Sequence, residues 1–352
     1  MKRISIHGRT ANRLSKVLKI VLPLLLGVLM AWSLTRQVEW PVVLDVLGRG
    51  IAWHWVFISV VLALLSHIVR GIRWRLQLRA LGINPSVHDM SVAVFGNYGL
   101  NLALPRVGEV WRCSYIAHRY RVPFTTTLGT MVSERMVDML VAGSMMLAAF
   151  VHEREHFAAF LSGSDFGQRV LHLLASPWLW CVTAAVVLAL LLVARRFRHT
   201  QAVGGVVGMV RNVWAGIVGL KDVARPWEYL LWSVLLWLCY YLNSYTCCFF
   251  FGFTEHLDAW AGLSIFVMGS LSLVLPVQGG LGPWHYAVGT ALLCYGIGSN
   301  LTDPQVQAFI WTSWSLEQGF VLLLGLYAMA YIGSSKSRRK NPKTKTQNTT
   351  RI

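Results

Sequence analysis

Leu102-Ala103-Leu104-Pro105-Arg106-Val107-Gly108-Glu109 interrupts the first half of this chain, and Leu273-Val274-Leu275-Pro276-Val277-Gln278-Gly279-Gly280 interrupts the second. Both read L-x-L-P-x-x-G, and they lie 171 residues apart. Each follows an apolar stretch too short or too polar for an ordinary membrane span. Broken apolar segments at corresponding places in two halves are the pattern of an internally repeated membrane transporter with its site at the breaks.

The rest of the chain agrees with a membrane setting. Its 352 residues are 55% hydrophobic and only 13% charged, where a soluble domain carries about 25% charge. Sixteen Trp and eleven Tyr suit two membrane–water interfaces. The net charge of +17 does not mark a nucleic-acid binder, because the basic residues flank apolar runs and form no single stripe. The six cysteines show no zinc spacing and read as small packing residues.

Charge placement sets the topology. Six basic residues from Lys2 to Lys19 precede an apolar run without a clear cleavage site, so the first helix, about Val17–Leu34, reads as uncleaved with the N-terminus inside. Trp53–Arg75 then runs inward to Arg70, Arg73, Arg75 and Arg79. Val92–Leu104 is weakly apolar and carries Asn97, Gly99 and Asn101. A full crossing there would place Arg106, Arg112, Arg119 and Arg121 outside, against the positive-inside rule. A segment that dips in and returns keeps all four cytoplasmic, and irregular backbone is tolerated at depth where protein or a wet cavity surrounds it. Pro123–Val151 crosses outward.

The second half repeats the plan upside down. Pro177–Ala194 runs inward, Trp227–Phe251 outward, Leu263–Leu275 with Trp284–Ile297 forms the second broken element, and Gln305–Ile332 returns. The cytoplasmic segments so defined hold 27 of the 32 Lys and Arg residues. The expected fold is therefore an all-α polytopic membrane protein with about six full spans and two re-entrant helix-loop elements in an inverted repeat. Its parts are a basic cytoplasmic N-terminus (1–16), one transmembrane domain (17–332, repeats 17–151 and 177–332) and a basic disordered cytoplasmic tail (333–352), too short for a further domain. Thr200–Val223 reads as an interfacial amphipathic helix or a plain connector, with Trp40–Leu47 as its outer counterpart.

The candidate chemistry lies at and near the breaks. Arg106 stands in the first turn. Glu109 and Arg112 follow three residues apart on one helix face. A guanidinium beside free helix N-terminal N–H groups is a place for a phosphate. Glu134 and Asp138 lie one turn apart in the next span with Arg135 between them. Charges at membrane depth should face the interior and pair. A network of Arg–carboxylate pairs that holds the broken segment is the competing structural reading. At the second break, Gly279, Gly280 and Gly282 allow close backbone approach and positive φ. His285 in the first turn of the returning helix is either a proton carrier or a hydrogen-bonded buried histidine. Glu317, an isolated carboxylate in the last span, is a functional candidate or the partner of an arginine from the other half. His67 beside Arg70 reads as interfacial packing.

These residues give the chain a resemblance to the lysylphosphatidylglycerol synthase transmembrane-region family, the flippase half of bacterial multiple peptide resistance proteins, also found as stand-alone membrane proteins. The resemblance rests on Leu104-Pro105-Arg106-Val107-Gly108-Glu109 with Arg112, on Glu134-Arg135 with Asp138, and on Pro276 with Gly279-Gly280-Leu281-Gly282, and extends from about Lys16 to Ile332. It departs from the family at Gln278, where Pro-Gly-Gly is expected, and at His285, where a Glu usually follows the glycines. It implies a bacterial inner-membrane, multi-pass protein that handles lipids, sometimes fused to a synthase or glycosyltransferase or with one as partner; the basic-residue count places both termini in the cytoplasm.

Two functions follow. One is a flippase-like translocator of an anionic phospholipid or polyprenyl-phosphate-linked lipid, with the arginines holding the head group. The other is a membrane enzyme or accessory subunit of a lipid-modifying or glycosyltransferase system, with Glu109, Glu134 or Asp138 as acid–base groups. No P-loop, nucleotide fingerprint or metal cluster appears in the sequence, so no cofactor, no metal and no catalytic chemistry are expected, and the translocator is favoured.

Overall fold

A computed structural model of the chain describes residues 38–104, 106–163, 226–275 and 277–340, with isolated positions between 29 and 36 and between 168 and 188. The expected first span, the expected span 177–194 over most of its length, the interfacial segment 200–223, and both Pro105 and Pro276 lie outside the described residues. Every regular element among the described residues is helical: α1 (Trp40–Gly48), α2 (Trp53–Ala80), α3 (Val87–Ala103), α4 (Val107–Tyr120), α5 (Phe124–His152), α6 (Arg154–Gly163), α7 (Pro226–Cys247), α8 (Ala259–Ser272), α9 (Pro283–Cys294) and α10 (Pro304–Lys340), with a 3₁₀ turn at Gln278–Gly280. The last helix, α10, continues past Gly333 to Lys340.

Three of these helices, α2, α5 and residues 304–334 of α10, are long and apolar enough to cross a membrane. Their outward faces agree: Met139 and Leu140 on α5 are 72% and 73% exposed, which suits lipid and not water. At 22 residues, α7 is about 33 Å long, but its many Trp and Tyr residues make it less apolar. The chain is a multi-pass membrane protein.

At each break the chain turns back on itself as a helical hairpin. Ser86 caps α3 by accepting from the Asp89 N–H at 3.0 Å. The helix ends at Leu104, whose extended backbone (φ −140°, ψ 115°) is the conformation proline imposes on the residue before it. Three residues later α4 starts and runs antiparallel to α3. Near the turn, the Gly108 N–H donates to Asn101 Oδ1 at 2.8 Å. At the far end, Arg119 pairs with Asp89 at 2.7 Å and the Tyr120 hydroxyl donates to Asp89 at 2.6 Å. The second hairpin joins α8, capped by Asp258 accepting from Ala261 N–H at 2.8 Å, to α9, which opens with Gly282 at φ 88° and Pro283 in its first turn.

Described helices of the first half coincide in sequence position with described helices of the second. Shifted by 171 residues, α2 falls on 224–251 over α7, α3 on 258–274 over α8, and α5 on 295–323 over the first part of α10. Corresponding helices α2 and α7 are antiparallel, since Ser59 contacts Asn243 and Gln77 contacts Tyr229. Each hairpin leans on the last long helix of the other half, α3 on α10 and α8 on α5. Where α3 crosses α10, Gly99 and Gly325 meet so closely that a Cβ on Gly99 would stand 2.6 Å from Gly325 Cα. The short α1 packs on α10, with Val43 buried and Trp40 against Trp311.

Candidate functional site

The hairpin of α3 and α4 is tied to the long helices by one buried ion network. Arg70 and Arg73 project from one face of α2, and Glu134 and Asp138 from one face of α5. Each arginine touches both carboxylates. Arg70 lies 3.0 Å from Glu134 and 2.8 Å from Asp138, and Arg73 lies 3.1 Å from Glu134 and 2.7 Å from Asp138. Arg112 of α4 reaches the other oxygen of Glu134 at 3.0 Å, its guanidinium 4.7 Å from the centre of the Trp74 ring. Trp237 of α7 donates to Asp138 at 3.3 Å. Arg70 also donates to the Tyr98 hydroxyl, which lies 3.2 Å from that of Tyr240. Arg73, Arg112 and Glu134 are completely buried. Among the described residues, three buried guanidiniums thus face two buried carboxylates, and Arg112 Nε and Nη1 and Arg73 Nε have no hydrogen-bond acceptor. At the rim, Arg135 pairs with Glu109 at 2.7 Å, both partly exposed.

Five of the residues singled out in the sequence, Glu109, Arg112, Glu134, Arg135 and Asp138, come together here. Arg106 does not join them: its exposed side chain donates to the Val274 carbonyl instead. Arg70 and Arg73, which the sequence reading assigned to topology alone, are central. Their signal was a spacing. Ser66, His67, Arg70, Arg73, Trp74 and Gln77 recur at helical period on one face, and all are buried. His67 packs inside the protein. It is buried against Tyr98, Phe95 and Phe320 with neither ring nitrogen hydrogen-bonded.

Arg106 stands where the hairpins meet. Its guanidinium donates to the Val274 carbonyl of the second broken turn at 3.2 Å, and the side chain is exposed. Its backbone is left-handed (φ 65°), a conformation that costs a non-glycine residue about 1–3 kcal/mol and is held where the surroundings impose it. Across from it, Gly279, Gly280 and Gly282 have φ of 57°, 68° and 88°, so the second turn is one only glycines form without strain. The 3₁₀ turn also packs against α3. His285 is buried between Trp311 and Trp314, with ring centroids 4.2 and 5.1 Å away. Its Nδ1 accepts from Gly282 N–H at 3.4 Å, and its Nε2 has no partner among the described residues. Among the described residues no arginine pairs with Glu317. It accepts from Asn243 Nδ2 at 3.2 Å.

A family model described as the lysylphosphatidylglycerol synthase TM region matches residues 20–301. The chain belongs to this family. Its curated relative "Glycosyltransferase AglD" of Haloferax volcanii is 31% identical over 133 residues, which is 37% of this chain and 21% of that protein. The chain thus spans about a fifth of that relative. No solved structure matches. In the family's terms, the two hairpins and the ion network all lie within the matched region up to residue 301, whereas the whole of α10, with Glu317, lies beyond it.

Proposed function

We propose that this protein is a flippase-like lipid translocator of the bacterial inner membrane, moving an anionic phospholipid or polyprenyl-phosphate-linked lipid between leaflets. In this reading the chain is an inverted repeat with both termini cytoplasmic. The two hairpins are re-entrant, enter from opposite faces and meet at the Arg106–Val274 contact. The observation that carries the reading is Arg106 itself: an exposed guanidinium, in a strained backbone, at the junction of two broken helices. A phosphate arriving there would take the guanidinium N–H groups now spent on a single backbone carbonyl, a charge-assisted exchange. The unpaired positive charge of the Arg70–Arg73–Arg112 group favours an anion nearby. The buried part of the ion network, Arg70, Arg73, Arg112, Glu134 and Asp138, holds the first hairpin in place and is not the binding surface.

A second reading is favoured by the glycosyltransferase named above, namely that the chain serves as membrane subunit or domain of a system that modifies a lipid carrier. Purified protein in liposomes with a labelled anionic lipid separates the two. Translocation gives movement between leaflets with the lipid chemically unchanged. A lipid altered only in the presence of the protein and a sugar or aminoacyl donor would support the second.

A further inference from the structure

We propose that Glu317 is a proton-binding carboxylate that couples lipid movement to a proton gradient, an inference that rests on the translocator reading above. Glu317 lies thirteen residues into α10, about 20 Å from the start of the helix, within the membrane-crossing stretch. The carboxylates of the first hairpin and of α5 hold arginines: Glu134 and Asp138 share Arg70 and Arg73, Glu109 has Arg135 and Asp89 has Arg119. Glu317 has no ion-pair partner among the described residues. What faces it is neutral: Asn243 and the Cys247 thiol from α7, with Ser59 of α2 behind them, bonded to Asn243 Oδ1 at 2.8 Å. The Asn243 amide presents its N–H to the carboxylate and spends its oxygen on Ser59. So placed, the amide offers the carboxylate a hydrogen-bond donor and not an oxygen. An isolated carboxylate at membrane depth becomes neutral by taking up a proton.

The same turn of α10 grips the second broken turn. Trp314 Nε1 donates to the Gly279 carbonyl at 2.7 Å. A Cβ on Gly279 would stand 2.9 Å from Gln318 Oε1. Trp314, Glu317 and Gln318 are three and four residues apart and share a face. Charging or neutralising Glu317 thus acts on the helical turn that positions Gly279, and through that turn on the tip where Val274 meets Arg106. In one cycle Glu317 takes a proton from one side, becomes a carboxylic acid, and returns to carboxylate by releasing that proton to the other side.

The test uses the full chain in liposomes holding fluorescent phosphatidylglycerol, with the membrane potential clamped. For one proton per lipid, a gradient of one pH unit should shift the wild-type lipid distribution between leaflets by up to about tenfold. Glu317→Gln should equilibrate the lipid without regard to the gradient, and Glu317→Asp should keep the dependence. A pH-gradient response that survives in Glu317→Gln, or a wild-type response to a sodium gradient in place of pH, would overturn the proposal. Infrared difference spectra across a pH titration of the detergent-purified protein give an arm independent of transport. The wild type should show a carboxylic-acid carbonyl band that Glu317→Gln removes, and a band unchanged by the substitution refutes the assignment. Wild-type protein that moves no lipid under any gradient would sink the translocator reading, and the infrared arm then decides Glu317 alone.

Discussion

Removing Glu134 would leave three buried guanidiniums facing a single carboxylate, whereas removing Arg112 would leave two facing two. Breaking a buried pair by deleting one partner typically costs about 3–5 kcal/mol, because an uncompensated charge stays behind. Glu134→Gln should therefore fall in that range, and Arg112→Gln should cost clearly less although Arg112 is just as buried. Arg106→Asn should cost least, since Asn tolerates the left-handed backbone and the contact with Val274 is exposed. Thermal melts of the three purified variants give the order, and an Arg112→Gln that melts below Glu134→Gln would contradict it. Much of this network was legible: the spacing of Glu109 and Arg112 and of Glu134 and Asp138 placed four charges on shared faces. Arg70 and Arg73 were not, because the same two residues also satisfy the positive-inside count, and that count absorbed them. The separation of Arg106 from Arg112 was hidden for another reason. The sequence placed Arg106 in the broken turn, but it gave no sign of the left-handed backbone there (φ 65°) or of the side chain's contact with Val274.

The hairpins are the elements that sequence revealed best, since Pro105 and Pro276 and the charge rule both demanded a turn. Their interiors were less legible. Asn101 looked like a polar blemish in an apolar stretch, yet its side chain accepts from the Gly108 N–H across the turn. Gly99 looked like part of the same weakness, yet it is where α3 and α10 touch. Glycine within a helix normally costs about 0.5–1 kcal/mol relative to alanine, so Gly143→Ala on α5, with nothing within 4 Å of the new methyl, should raise stability by that amount. Gly99→Ala should have the opposite sign, because its Cβ would stand 2.6 Å from the Gly325 backbone, and over-packing of a tight contact costs about 1–3 kcal/mol. A Gly99→Ala protein that melts at or above the wild-type temperature would mean the two helices do not meet there. The same reasoning applies at Gly108, where a methyl would strike the Asn97 carbonyl.

At the scale of the whole molecule, the antiparallel pairing of α2 with α7, together with the exchange of hairpins between halves, supports an inverted arrangement in the membrane. In a cysteine-free background, single cysteines at Glu255 and Asp303 should then react with an impermeant reagent from outside, and one at the exposed His118 should not. Labelling of His118 from outside would make α3 a full crossing and remove the inversion. The central claim, that a lipid head group passes where the two broken turns meet, is tested most directly by leaflet-to-leaflet movement of labelled phosphatidylglycerol in liposomes, measured side by side for wild type and Arg106→Asn. The expected result is movement of chemically intact lipid by the wild type, and its loss in an Arg106→Asn protein that melts at the wild-type temperature. Movement at the wild-type rate without the Arg106 guanidinium would contradict the account.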